Sequence, residues 1–121
     1  MSVKILYIED NFDNRTLVKR ILQAEGYTVL EAEDGPSGIR MALETHPDLI
    51  IMDINLPEID GYTATSKLKE ELAGVPIIAM TANVMKGDRE KTFEAGCDGY
   101  IQKPIDVDKL PVQIASFLKS R

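Results

Sequence analysis

Short unbroken apolar runs recur along the chain, each followed by a longer segment whose apolar positions return every three or four residues. The clearest runs are Leu49-Ile50-Ile51-Met52 and Val75 to Met80. An apolar stretch without polar alternation marks a strand buried on both faces. Such strands belong to parallel sheets, because parallel pairing needs a crossover and the crossover helices cover the sheet on either side.

The rest of the chain fits this scheme. Val3 to Ile8 reads as the first strand. From about Asn14 to Glu25, Leu17, Val18, Ile21 and Leu22 share one helical face, and Gly26 stands where a C-terminal cap belongs. Thr28 to Glu31 is a second, weaker strand. Pro36 opens a helix that runs to about His46 with Ile39, Ala42 and Leu43 inward, and Pro47 ends it. Beyond the third strand, Leu56-Pro57 and Asp60-Gly61 punctuate a loop. Ala64, Leu68 and Leu72 then form a helical face that Gly74 stops. Pro76 leads into the fourth strand, Ile77 to Met80. The segment from Lys86 to Ala95 is mostly polar, with Phe93 its main apolar anchor and Gly96 its stop. Tyr100-Ile101 lies in a short last strand. Leu110, Ile114, Phe117 and Leu118 mark a final helix, and Pro111 is tolerated only in its first turn, which sets the start near Asp108. Five βα units predict an α/β fold: one doubly wound, five-stranded parallel sheet of order 2-1-3-4-5 with helices on both faces.

At 121 residues the chain is the size of one domain. Fourteen basic against 20 acidic residues leave a net charge of −6, which repels phosphate backbones and anionic lipid. Nucleic-acid binding is not expected, and no apolar run is long enough for membrane insertion or a signal peptide. The single cysteine, Cys97, rules out an internal disulfide and fits a cytoplasmic setting. There it reads as a buried, small apolar group.

On this scheme Glu9 and Asp10 lie just past the first strand and Asp53 just past the third. Thr81 and Lys103 hold the same place on the fourth and fifth. Open parallel sheets bind ligands at this edge, where the strand order reverses, and strands one and three are neighbours there. Three converging carboxylates repel one another and call for a cation. Hard oxygen ligands with room for water suit Mg2+. A metal, a lysine and a hydroxyl around one carboxylate make a site for a phosphoryl group, with Asp53 as nucleophile.

Four segments, in this order and spacing, resemble the response-regulator receiver domain of two-component signalling. They are Ile8-Glu9-Asp10-Asn11, Met52 to Gly61, Met80-Thr81-Ala82 and Lys103-Pro104. The stretch Ala79 to Ile105 resembles the receivers of stand-alone cell-cycle regulators and hybrid histidine kinases. The resemblance covers essentially the whole chain and implies one receiver domain over 1–121, of flavodoxin-like order, with no output domain. It implies that Asp53 accepts a phosphoryl group from the phosphohistidine of a histidine kinase or histidine phosphotransfer protein. It further implies that Asp10, Asp53 and the Asn55 backbone carbonyl bind Mg2+, with Glu9 reaching the metal directly or through water. Thr81 would hydrogen-bond the phosphoryl group and Lys103 would pair with it. Tyr100 matches the aromatic switch position, and the Lys103-Pro104 bond would be cis. Asn55 and Asn83 would lie near enough to influence an attacking water.

The expected role is a switch that catalyses its own phosphoryl transfer, without a separate substrate, and hands the signal to a downstream protein. Its output surface is expected from Lys86 through the last strand and helix, where few apolar anchors leave a helix easily shifted. Met85 could join that surface. His46, at a helix end far from the acidic edge, reads as an ordinary surface residue. Two rivals fit less well. A phosphohydrolase of the haloacid dehalogenase kind needs Asp-x-Asp after the first strand, but Asp53-Ile54-Asn55 follows the third. An FMN carrier needs a neutral phosphate loop where Glu9-Asp10 stands.

Overall fold

The computed structural model describes residues 2–56, 58–82 and 86–119, with the side chains of 86–88 left aside. The expectations for Pro57, Asn83 and Met85 lie outside the described residues. The elements run β1 (Lys4–Ile8), α1 (Phe12–Ala24), β2 (Thr28–Ala32), α2 (Gly35–Thr45), β3 (Leu49–Asp53), α3 (Gly61–Glu71), β4 (Ile77–Thr81), α4 (Lys86–Glu94), β5 (Gly99–Gln102) and α5 (Lys109–Lys119). All pairings are parallel, in the order β2-β1-β3-β4-β5.

The period of two along each strand divides the core into two layers. Ile5, Tyr7, Leu49, Ile51, Ile78, Met80 and Ile101 face α1 and α5, where Val18, Leu22, Leu110 and Ile114 meet them. Leu6, Ile8, Ile50, Met52, Ile77 and Ala79 face the other way, toward Ala42, Ala64, Leu68 and Cys97. Every residue of β3 and β4 is buried, as unbroken apolar runs require. Cys97 is buried as expected, with its thiol on the Thr65 hydroxyl. His46 is exposed and closes α2 at a φ of 48°.

Caps fix the helix ends. Asn11, Asp34 and Asp60 each accept a hydrogen bond from the backbone N–H three residues on, at 2.8, 2.8 and 2.9 Å. Asp106 accepts from the N–H groups of Asp108 and Lys109, so α5 begins at Lys109 and Pro111 falls in its first turn. Gly26 and Gly96 follow α1 and α4 with positive φ.

Three inward assignments are corrected. Leu17 and Leu43 are exposed, because each lies at the margin of its helical stripe and Val18 and Ala42 take the central places. Phe93 is 51% exposed, and the neighbouring Thr92 is buried. A lone aromatic in a polar helix does not fix which face turns inward, and here the small side chain takes the close approach. Ile39 is half-buried. Asp53 and Thr81 are the last residues of their strands rather than the first beyond them.

Candidate functional site

Strand register lines up the C-terminal ends. Ile8 lies opposite Met52, Asp53 opposite Met80 and Thr81 opposite Gln102. The ladder continues past the strands. Glu9 N–H donates to Ala32 O at 3.0 Å, Ile54 N–H to Met80 O at 3.2 Å and Lys103 N–H to Thr81 O at 2.8 Å. The side chains that follow are thus held by sheet hydrogen bonds rather than by free loops. Glu9 has the parity of Tyr7, Asp53 that of Ile51 and Lys103 that of Ile101, so all three leave the sheet toward the α1/α5 face. The bond between Lys103 and Pro104 is cis, as the resemblance implied.

At this edge the Lys103 ammonium bridges two buried carboxylates, 3.1 Å from Glu9 Oε1 and 3.3 Å from Asp53 Oδ1. Asn55 N–H donates to Asp53 Oδ1 at 3.2 Å. One carboxylate oxygen from each of Glu9, Asp10 and Asp53 lies within 4.8 Å of the other two, with Asp10 the exposed member. Gly61 closes the far side. A Cβ there would stand 2.5 Å from Asp53 O and 2.7 Å from the Ile54 Cα, so only glycine lets α3 start against this turn.

Three residues absent from the sequence-level site complete it. Tyr7 Oη donates to Glu9 Oε1 at 3.2 Å and Asn14 Nδ2 donates to the same oxygen at 2.9 Å. Arg15 is buried, donates from Nη1 to the Glu9 carbonyl at 2.7 Å and pairs with Glu31 and Glu33. Tyr7 was legible in principle, since positions i and i+2 of a strand share a face. Arg15 carried no such signal, because an arginine in a helical pattern reads as solvated.

Burial raises the pKa of Asp53, and the adjacent Glu9 charge raises it further, to about 7. Burial pushes Glu9 upward too, but its side-chain interactions with Asp53, Asn14 and Lys103 outweigh it and hold Glu9 below the usual carboxylate range. Burial lowers the Lys103 pKa, and the two carboxylates more than reverse that. Asp53 is therefore the more readily protonated of the two carboxyls.

The donor set fits a hard divalent cation. Glu9 Oε2 is the one buried side-chain oxygen or nitrogen without a hydrogen-bond partner among the described residues. A charged oxygen left bare in a buried site is costly, and a cation would offset that cost.

Thr81 is buried at the end of β4, on the sheet face opposite to Asp53 by parity. Tyr100 is half-buried, and its hydroxyl accepts a 2.7 Å hydrogen bond from Arg89 Nε. The Arg89 guanidinium lies 5.3 Å from the Tyr100 ring centre, and Phe93 meets that ring edge-on at 6.2 Å. The structure thus unites Glu9, Asp10, Asp53, Asn55 and Lys103, and sets Tyr100 apart in a surface cluster with α4.

The response regulator receiver domain family matches residues 5–115. The chain is 42% identical over 120 residues to the polar-differentiation response regulator DivK of Brucella ovis, covering 98% of each chain. It is 37% identical to the receiver domain of a sensor histidine kinase from Pseudomonas aeruginosa PAO1, with a TM-score of 0.89 over 98% of this chain and 99% of that one. That structure holds a magnesium ion coordinated in its active-site cleft. A chemotaxis protein of Vibrio cholerae shares the fold at a TM-score of 0.93 and 24% identity, covering 97% and 99% of the two chains.

Proposed function

The chain belongs to the response regulator receiver family, and on that premise we propose that Asp53 is the phosphoacceptor of a site built from Glu9, Asp10, Asn55, Thr81 and Lys103. As a receiver it is a phosphorylation-controlled switch of two-component signalling. Family membership sets aside the phosphohydrolase and FMN-carrier readings. Receiver domains bind Mg2+ at an acidic site, and the cluster of Glu9, Asp10 and Asp53 is of that kind. The proposal adds the backbone carbonyl of Asn55 to the set that holds the ion here. A bound Mg2+ supplies neutralising charge for the incoming phosphoryl oxygens.

The chain's own part is positioning and charge. Asp53 reacts through a carboxylate oxygen. An O–P bond forms as the P–N bond of the phosphohistidine breaks, and the bond's electron pair leaves with the imidazole nitrogen. Asp53 reacts in its ionised form, so the rise in its pKa must first be overcome. Lys103 already lies between the two carboxylates and can turn from them to the phosphoryl oxygens. The Thr81 hydroxyl, which starts from the opposite sheet face, reaches the same group when the end of β4 turns toward it. Residues 1–121 act in this reading as one receiver unit, phosphorylated by a histidine kinase or a histidine phosphotransfer protein and read by a downstream protein. The setting is the cytoplasm, in keeping with the lone reduced thiol of Cys97. Among the described residues no helix is long and apolar enough to cross a membrane.

The observation that carries the reading is the Lys103 ammonium bridging Glu9 and Asp53 at 3.1 and 3.3 Å beside a bare Glu9 Oε2. Intact mass after treatment with a small phosphodonor and Mg2+ tests it. Wild type gains one phosphoryl group and Asp53→Asn gains none, and peptide mapping after borohydride trapping finds the label on Asp53. A label that survives Asp53→Ala would overturn the assignment.

A further inference from the structure

The Glu9 side chain is held asymmetrically. Oε1 accepts from Tyr7 Oη at 3.2 Å, Asn14 Nδ2 at 2.9 Å and Lys103 Nζ at 3.1 Å. Oε2 accepts from none of the described residues and is buried. Three donors on one oxygen fix the plane of the carboxylate and leave the other oxygen free. Two of the three are themselves fixed. Tyr7 is fully buried in the core under the edge. Asn14 stands in the first turn of α1, whose N-terminus Asn11 caps. Lys103 is the movable one, because it also serves Asp53.

We propose that Tyr7 and Asn14 are positioning residues that clamp Glu9 Oε1, present Oε2 to the bound cation, and thereby fit this site to glutamate rather than aspartate at position 9. The inference rests on the reading of this edge as a Mg2+ site. Its physical basis is reach. A glutamate is one methylene longer than an aspartate, so its carboxylate extends further and is less constrained by its own backbone. An unheld glutamate spreads over several rotamers, and each hydrogen bond that selects one lowers the entropy lost when the ion binds. An aspartate at this position would stop short of the Tyr7 hydroxyl. The pair has a second consequence. When Lys103 turns to the phosphoryl group, Tyr7 and Asn14 remain on Oε1, so the buried Glu9 charge keeps two donors.

Calorimetric titration of metal-free protein with MgCl2 tests the clamp, on wild type, Tyr7→Phe, Asn14→Ala, Glu9→Asp and the Glu9→Asp/Tyr7→Phe double variant. Tyr7→Phe keeps the buried ring, and Asn14→Ala changes a half-buried helix position as an independent arm. Tyr7→Phe and Asn14→Ala are each expected to weaken Mg2+ binding roughly tenfold, the scale of one hydrogen bond to a charged group. In the Glu9→Asp background Tyr7→Phe should change the affinity less than twofold, because the shorter side chain does not use that hydroxyl. A purely structural tyrosine would lower the melting temperature in both backgrounds and leave the affinity unchanged in both. Wild-type affinity in both donor variants, or an equal loss in the two backgrounds, overturns the clamp while leaving the metal site standing. No Mg2+ binding by wild type overturns the site and the clamp together.

Discussion

Replacing Asp53 by asparagine should stabilise the metal-free protein, and only above mildly acidic pH. The folded chain buries Asp53 beside Glu9 and raises its pKa from 3.8 to about 7. A folded state that holds a proton the unfolded chain has released loses stability as pH rises between those two values. Taken alone, a shift of that size would cost about 4 kcal/mol above pH 7. The opposite shift on Glu9 contributes stability above the ordinary carboxylate pKa and offsets much of this, which leaves about 1–2 kcal/mol for the pair. Asparagine carries no charge and removes the penalty. For 121 residues the unfolding entropy is about 250 cal/mol/K near the midpoint, so the melting temperature should rise by about 4–8 °C. Thermal melts in EDTA at pH 8 and pH 4 measure this. The gain should be present at pH 8 and absent at pH 4, where Asp53 is protonated in the folded wild type. Mg2+ at a hundred times its dissociation constant should then add about 2.7 kcal/mol to wild type and much less to the variant. An Asp53→Asn protein no more stable than wild type at pH 8, or equally favoured at both pH values, would refute the burial-and-repulsion account of this edge.

Mg2+ affinity should rise with pH up to about 7, because binding competes with protonation of Asp53; a pH-independent affinity between pH 5 and 8 would contradict the raised Asp53 pKa. Gly61→Ala places a Cβ within 2.7 Å of backbone atoms at Asp53 and Ile54, so a loss of about 1–3 kcal/mol is expected in denaturant melts. Gly74→Ala, with open space around it, should stay within about 0.5 kcal/mol of wild type. Lys103→Ala should bind Mg2+ at least as tightly as wild type, since the lysine competes for the same carboxylates, while losing the response to phosphorylation. Amide exchange on phosphorylation should change across residues 82–105, and changes confined to α1 would place the output elsewhere.

Strand order, layer count and the convergence of Glu9, Asp10, Asp53 and Lys103 were all legible in the sequence, for one physical reason. Unbroken apolar runs fix where parallel strands end, and polar residues just beyond those ends have nowhere to go but the common edge. What was not legible depends on partners brought in by tertiary packing. Arg15 is buried because the Glu9 carbonyl and two glutamates meet it, and nothing in its own helix announces them. Leu17, Leu43 and Phe93 have the right character for the core, but each stands at a margin where a smaller neighbour allows closer approach. Tyr7 was legible only as a strand residue. Its hydroxyl matters because Glu9 reaches back to it, and that follows from parity only once the strand is known to end at Ile8.

If phosphorylation draws Thr81 to the phosphoryl group, a switch through Tyr100, the aromatic position that the resemblance implied, would move that ring from its surface cluster, and the energies involved are comparable. Its present place is held by one exposed hydrogen bond from Arg89, the cation–π contact with the same guanidinium and the edge-on contact with Phe93. Those are worth about 1, 0.5–1 and 0.5–1.5 kcal/mol. A hydrogen bond from the Thr81 hydroxyl to a charged phosphoryl group is worth about 1.5–3 kcal/mol. The gain at the edge is thus comparable to what holds Tyr100 out, so the two arrangements can exchange with phosphorylation deciding between them. The helix that would follow is the one with least invested. α4 is predominantly polar, keeps Phe93 exposed and, among its described side chains, buries the small Thr92. α1, by contrast, commits Val18, Ile21 and Leu22 to the core. A perturbation at the end of β4 would therefore repack α4 and β5 at far lower cost than α1, which favours that side of the sheet as the expected output surface.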